Sequence, residues 1–507
     1  MSVNRQLAHH ILETLKLSGV EELCISPGNR CAPFIDLLSS AFRCYYWPEE
    51  RSGAFFALGR ARRTERPVGI ITTSGTAVAE LLPAMMEGFY SGVPILAITA
   101  DRPRRFRESG APQTANQLGI YSHYVDWESD IEGGERCDLS GWGQRAPAHL
   151  NVCFEEPLID QSPLIEPGIP SLKNALIADP KPLQEFLQNA GRLAVVVSTL
   201  PLDAQEPVKA FLKKLRAPVY LESVSGLRES KDLKALQLAS DQFLNAADSV
   251  LRIGGVPTFR PWRDLETLEG QIEVLSITER PFPGISWGKC VTTDLASFFK
   301  EHRFEVSYKT PVDFERPPLP SVEASEPMLI RDLSLKIPSG SHIYLGNSMP
   351  IRQWDLAAIH EEKGFEITAS RGLNGIDGQL SAFFGLTRTD VHNWAIIGDL
   401  TALYDLAAPW ILSELQDRSV FIVVVNNGGG KIFERFFANQ AFQNNHQLNF
   451  SGIADFWGLS YHRWEKALPD SIPDKGHHLI ELIPDSLESS QFWEMQKWSK
   501  STLSTVS

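Results

Sequence analysis

Cysteine is scarce in this chain. Six occur among 507 residues, at Cys24, Cys31, Cys44, Cys137, Cys153 and Cys290, and none forms a CxxC pair. That spacing argues against a zinc or iron–sulfur site. A chain of this size with no secretion leader is not expected to rest on disulfides either. Positive charge is in deficit, with 48 Lys and Arg against 62 Asp and Glu and a formal net charge of -14. Such a balance speaks against a nucleic-acid surface. Long apolar runs are missing: Val420–Val425 is six residues, far below the ~20 that a membrane span needs. The opening MSVNRQLAHHILETLKLSGV carries neither an apolar h-region nor a small-residue cleavage site, so a cytoplasmic protein without a membrane partner is expected. No GxGxxG stands between a strand and a helix, which removes the nicotinamide fingerprint.

What remains is an ordinary globular composition, 43% hydrophobic and 22% charged, at a length that suggests three domains. Strand-like and helix-like patterns alternate along the chain, the mark of α/β layers with parallel sheets. Leu7, Ile11, Leu12 and Leu15 share one helical face, and Gly19 is placed to end that helix. Strands are expected at Glu22–Ser26, Val68–Thr73 and Ile95–Ala100, with a helix over Ala77–Tyr90 between the last two. A proline-bearing linker, Glu155–Lys173, leads to strands at Leu193–Ser198, Val219–Glu222 and Ser249–Ile253. A second proline-rich linker, Val306–Pro327, precedes strands at His342–Leu345, Trp394–Ile397 and Val420–Val425. The expected architecture is three α/β blocks, at 1–170, 175–305 and 325–507, each with a parallel central sheet flanked by helices. Ala438–Phe450, rich in Asn and Gln, reads as a mobile polar loop.

The most informative segment is Gly398-Asp399-Leu400, separated by 25 residues from Asn426-Asn427. An apolar run precedes each end, and a helix over roughly Ala402–Leu415 is expected between them. Polar groups then sit at the carboxyl ends of two parallel strands, where open α/β sheets bind ligands. An acid and an amide oxygen are hard ligands suited to magnesium. Gly428, Gly429 and Gly430 let backbone N–H groups approach phosphate, and a helix after Gly430 would present its N-terminus to anionic oxygens.

This spacing resembles the motif of thiamine-diphosphate enzymes. The resemblance implies that Asp399, the side chain of Asn427 and the carbonyl of Gly429 hold Mg2+ or Mn2+, with Asn426 as the alternative amide. Leu400 stands where many members of that group have glycine. The cofactor's aminopyrimidine needs a carboxyl partner that shares a proton. Glu50, at an expected strand–helix junction in Trp47-Pro48-Glu49-Glu50-Arg51, is that candidate ahead of Glu49.

More narrowly, the chain resembles the 2-succinyl-5-enolpyruvyl-6-hydroxy-3-cyclohexene-1-carboxylate (SEPHCHC) synthase family of menaquinone biosynthesis. The matching pieces are Ser26-Pro27-Gly28-Asn29-Arg30, Thr72 to Ala77, Thr99 to Pro103, Gly110 to Gln113 with Asn116-Gln117, Gly346-Asn347-Ser348, Arg371 to Gly378, Gly398 to Asp405 and Asn426 to Phe433. They run in family order through both end blocks. The resemblance implies decarboxylation of 2-oxoglutarate and conjugate addition of the succinyl carbanion to isochorismate. Both substrates are dicarboxylates, for which the fixed charge and bidentate fork of arginine are suited. Arg30, Arg352 and Arg371 take that role by resemblance, with Asn116, Gln117 and Ser348 as neutral partners. Ile376, Ile432 and Phe433 pack against the cofactor, beside Gly398 and Leu400. Arg102 is a further candidate, while Arg104, Arg105 and Arg107 read as a solvated face. Arg280 is the candidate from the central block. A homodimer or homotetramer with its active site between subunits is implied. The alternatives are another thiamine-diphosphate carboligase, acetolactate-synthase-like, and a non-catalytic homologue.

Overall fold

The computed structural model describes residues 3–38, 40–173, 175–239, 247–308, 318–434, 437 and 439–496. Residues 309–317 of the second expected linker, and Ala438, lie outside the described residues. The first sheet contains β1 (Glu22–Ser26), β2 (Arg43–Tyr46), β3 (Val68–Thr72), β4 (Ile95–Asp101), β5 (Trp127–Glu132) and β6 (Ala148–Cys153), in the order β2-β1-β3-β4-β6-β5. The second contains β7 (Leu193–Val197), β8 (Val219–Leu221), β9 (Ser249–Ile253), β10 (Glu273–Thr278) and β11 (Lys289–Thr292), in the order β11-β10-β9-β7-β8. The third contains β12 (His342–Leu345), β13 (Glu366–Thr368), β14 (His392–Gly398), β15 (Ser419–Val425), β16 (Ser460–Glu465) and β17 (His477–Ile483), in the order β13-β12-β14-β15-β17-β16.

Among the described residues these strands pair in parallel, for example Ile25 beside Ile71 and Gly398 beside Val425. The first and third sheets share one strand order, and in each the chain changes direction of growth between β1 and β3 or between β12 and β14. β3, β4 and β7 are buried at every residue. Helices cover both faces of such a sheet, which is why these strands read as unbroken apolar runs.

Two expected helices are interrupted. Ala77–Tyr90 is instead Thr76–Glu80 followed by Leu82–Ser91. Pro83 lacks an N–H and is tolerated only in a first turn. The stretch over Ala402–Leu415 is a short helix, Asp399–Tyr404, and a 3-10 turn, Ala408–Glu414, with Pro409 near its start.

The chain divides into two compact units. One comprises Met1–Asn174, Gly375–Thr387 and Leu403–Asp417, and the other Ala175–Asn374, Arg388–Ala402 and Arg418–Ser507. Two pieces of the third block therefore pack with the first. The reason is visible at the crossing of helices Glu50–Thr64 and Gln379–Leu386. A Cβ at Gly59 would collide with the Ala382 carbonyl oxygen, and one at Gly385 with that of Phe56. Only paired glycines permit so close an approach. Asp405, fully buried, ties the same three segments: it accepts from Ser381 N–H at 2.7 Å, Ser381 Oγ at 3.0 Å and Ser52 Oγ at 3.2 Å. Gly59→Val is expected to destabilise by roughly 1–3 kcal/mol or more, as overpacking does, read as a lower urea midpoint. Among the described residues no helix is long and apolar enough to cross a membrane, and the six cysteines are free.

Candidate active site

In the second unit, polar residues gather at the carboxyl ends of β12, β14 and β15, beside the point where strand order reverses. Asp399 follows β14 and is 2% exposed. Its Oδ1 accepts from Leu400 N–H at 2.6 Å, and its Oδ2 accepts from Gly428 and Gly429 N–H groups, each at 2.9 Å. Burial pushes the Asp399 carboxyl up, while those N–H groups and nearby His446 hold it down. Gly429 has φ +138°, and a Cβ there would lie 2.6 Å from the Gln443 carbonyl oxygen. Glycine is required at this position on both grounds.

The two asparagines are distinguished by their partners. Asn426 donates from Nδ2 to Glu481 at 2.7 Å and to the Leu448 carbonyl at 2.9 Å, and its Oδ1 accepts from Gly428 N–H at 3.3 Å. Asn427 donates from Nδ2 to Glu326 at 3.0 Å, while its buried Oδ1 has no hydrogen-bond partner among the described residues. An orphaned buried amide oxygen near a carboxylate suits a hard cation, so this set fits a magnesium–diphosphate group. Asn427→Ala is expected to weaken Mg2+-dependent cofactor binding at least tenfold, and Asn426→Ala less than threefold, in titration calorimetry.

Two expectations for the following segment are corrected. Among the described residues the segment after Gly430 is a 3-10 turn, Lys431–Phe433, and the Gly428, Gly429 and Gly430 N–H groups expected for phosphate are bonded to Asp399 and Gln443. The Asn/Gln-rich stretch is no free loop where it is described. Gly430 N–H donates to Gln443 O at 2.5 Å, and His446 N–H to Gly428 O at 3.1 Å. His446 Nε2 consequently lies 3.2 Å from Asp399 Oδ2. No spacing in the sequence links His446 to Asp399, and Glu326 was equally hidden at the start of the helix Glu326–Lys336.

In the first unit, β2 leads into the helix Glu50–Thr64. Glu49 caps that helix, accepting from Arg51 N–H at 3.1 Å and Ser52 N–H at 2.9 Å. Such a cap contributes about 1 kcal/mol and occupies its carboxylate. Glu50 is half-buried. Burial pushes its carboxyl up, helped by the negative charges of Glu49 and Glu80, as a group that shares a proton near neutrality requires.

The arginines divide likewise. Ser348 ends the turn after β12 at φ +69° and accepts, through its carbonyl, from Arg352. Arg352 is pushed down by burial and by the positive charge of Arg371. Arg371 is 6% exposed and donates to Asn347 Oδ1 at 2.6 Å. In the first unit, Arg30 is buried and donates to Glu156 at 3.0 Å and the Phe154 carbonyl at 3.2 Å. Gln117 is buried and bonded at both ends, accepting from Gly75 N–H at 3.0 Å and donating to Asn151 at 2.7 Å. It holds the turn before Thr76. Asn116 beside it is exposed. Arg102 donates to the Pro112 carbonyl at 3.0 Å. The following charge run is not simply a solvated face: Arg104 pairs with Asp130 and Glu135, Arg107 with Asp130, and Arg105 with Glu155. Arg280 lies over the Phe282 ring. Ile432 and Phe433 follow the glycine loop, with Phe433 exposed. Ile376 belongs to the segment Gly375–Thr387 of the first unit.

Residues 5–120 match the family described as thiamine pyrophosphate enzyme, N-terminal TPP binding domain. The chain is similar to a 2-succinyl-5-enolpyruvyl-6-hydroxy-3-cyclohexene-1-carboxylate synthase of Bdellovibrio bacteriovorus, 39% identical over 97% of this chain and 98% of that one. It is similar to the synthase of the same name from Akkermansia muciniphila, at 34% identity over 94% and 95% of the two chains. A solved structure from Mycobacterium smegmatis, described as a thiamin diphosphate-dependent enzyme, superposes with a TM-score of 0.72 at 16% identity, covering 94% of this chain and 99% of that one. That likeness supports the fold.

Proposed function

Because the chain belongs to the SEPHCHC synthase family, we propose that it decarboxylates 2-oxoglutarate and joins the remaining four-carbon unit to isochorismate in menaquinone biosynthesis. When bound, thiamine diphosphate supplies the nucleophilic carbon that takes up the 2-oxo acid and stabilises the charge left by carbon dioxide loss. Asp399, Asn427 Oδ1 and the Gly429 carbonyl would hold Mg2+ or Mn2+, with Gly398 and Leu400 alongside. Glu50 holds and returns a proton at the aminopyrimidine. Ile376, Ile432 and Phe433 shield the rings from water. The blocks 1–170, 175–305 and 325–507 then serve as pyrimidine-binding, central and diphosphate-binding domains. The enzyme works in the cytoplasm as a homodimer or homotetramer, with each active site completed by two subunits.

The observation that carries the substrate reading is the Arg352–Arg371 pair. Burial and the positive charge of buried Arg371 push Arg352 down while Glu222 and Asp355 pull it up, and an anionic ligand would act in the same direction as those carboxylates. Small monoacids need no such pair; dicarboxylates do. Arg30, Ser348 and Asn116 complete the substrate contacts, with Gln117 holding the turn before Thr76. Arg352→Met is expected to raise KM for a dicarboxylate substrate roughly 10–100-fold, the loss of one charge-assisted hydrogen bond. The activity is tested by mass spectrometry of the reaction of isochorismate with uniformly 13C-labelled 2-oxoglutarate. A product carrying four labelled carbons agrees with the proposal. A product without label contradicts it.

A further inference from the structure

Two residues outside the motif lie behind the metal ligands. Asn427 gives its Nδ2 to Glu326 Oε2 at 3.0 Å, and Glu326 is itself 4% exposed. The backbone of Glu326 is pinned in turn, its N–H donating to Ser489 Oγ at 3.0 Å. With its amide nitrogen committed to Glu326, Asn427 has its Oδ1 buried and without a partner among the described residues. His446 lies against Asp399 as a charge neighbour. Its Nδ1 accepts from Leu448 N–H at 3.2 Å, which leaves the ring proton on Nε2. That Nε2 lies 3.2 Å from Asp399 Oδ2, a charge contact without hydrogen-bond geometry, and the same oxygen takes the Gly428 and Gly429 N–H groups. Asp399 Oδ1, which accepts from Leu400 N–H, is thereby the oxygen left for a cation.

We propose that Glu326 and His446 are positioning residues that fix the Asn427 amide and the Asp399 carboxylate so that each turns one oxygen toward the divalent ion. The inference rests on the metal reading of Asp399 and Asn427. Outer partners of this kind commonly contribute 10–100-fold to metal affinity. A flipped Asn427 would present N–H groups, which repel a cation, and without His446 the Asp399 carboxylate would rest on its three backbone N–H donors alone.

The test is titration of chelator-stripped full-length protein with Mn2+ in the presence of thiamine diphosphate, reading free Mn2+ by electron paramagnetic resonance. Glu326→Leu and His446→Leu are expected to raise the Mn2+ Kd about 10–100-fold. Glu326→Gln keeps an acceptor for Asn427 and His446→Gln keeps an N–H group beside Asp399, so both are expected within threefold of the parent protein. That rescue separates positioning from bulk folding effects. If Glu326→Leu fails to fold, His446→Leu, on a surface segment, decides alone. A Mn2+ Kd unchanged in His446→Leu overturns the inference, as do Gln variants no tighter than the Leu variants. Asp399→Asn serves as the control. Loss of Mn2+ there with no loss in the Leu variants overturns the positioning roles alone, whereas unchanged Mn2+ binding in Asp399→Asn overturns the metal site and the inference with it.

Discussion

Glu50→Gln is expected to lower kcat by about 10²–10⁴-fold, the usual contribution of a positioned proton-transfer group, while thiamine diphosphate is still retained. The substitution keeps shape and hydrogen-bonding capacity and removes the exchangeable carboxyl proton. It should not harm stability. Burial pushes the Glu50 carboxyl above its ordinary value, so the folded protein binds the proton more tightly than the unfolded chain. The stability linked to that proton is fully present below the unfolded pKa and is lost as pH rises through the folded one. A permanently neutral Gln avoids that loss, so Tm above neutral pH should equal or exceed that of the parent protein. Steady-state kinetics beside a melting curve at pH 8 check both halves. Turnover near the parent value would remove Glu50 from the chemistry. A collapse of Tm would show the loss of activity to be structural.

Asp399→Ala is expected to weaken thiamine diphosphate binding in the presence of Mg2+ by at least about 100-fold, which corresponds to ~2.7 kcal/mol. The carboxylate brings the charge to the cation, and it also gathers the N–H groups of Leu400, Gly428 and Gly429. Its removal therefore loosens the glycine loop as well as the metal. Calorimetric titration with and without Mg2+ separates the two losses, because a loosened loop weakens binding in both titrations and a lost metal contact only in the first. Equal affinities in variant and parent protein with Mg2+ present would place the metal elsewhere.

Much of the fold was legible because parallel strands covered on both faces leave a plain trace. Glu22–Ser26, Ser249–Ile253 and His342–Leu345 coincide with the expected strands, and the others differ at their ends by a residue or two. Helices were less legible where a proline broke them, at Pro83 and Pro409. The packing of Gly375–Thr387 and Leu403–Asp417 with the N-terminal unit could not be read at all. It depends on two glycines far apart in sequence, Gly59 and Gly385, meeting in space.

At the candidate site, spacing picked out Asp399 and the Asn pair, but side-chain partners were needed to tell Asn427 from Asn426. Glu49 and Glu50 are both acidic residues at a helix start; resemblance put Glu50 first, and the capping bonds of Glu49 to Arg51 and Ser52 add a physical reason. His446 had no signal in the sequence, since a lone histidine in a polar stretch is seldom a site residue. Gln117 was found by resemblance, yet the structure binds both its ends to protein.

The central claim, that this chain joins 2-oxoglutarate to isochorismate, is tested most directly by an omission assay on the purified protein. Isochorismate absorbance is followed with 2-oxoglutarate, thiamine diphosphate and Mg2+ present, and with each left out in turn. The account predicts loss of isochorismate only in the complete mixture. Carbon dioxide release from pyruvate with isochorismate untouched would contradict it.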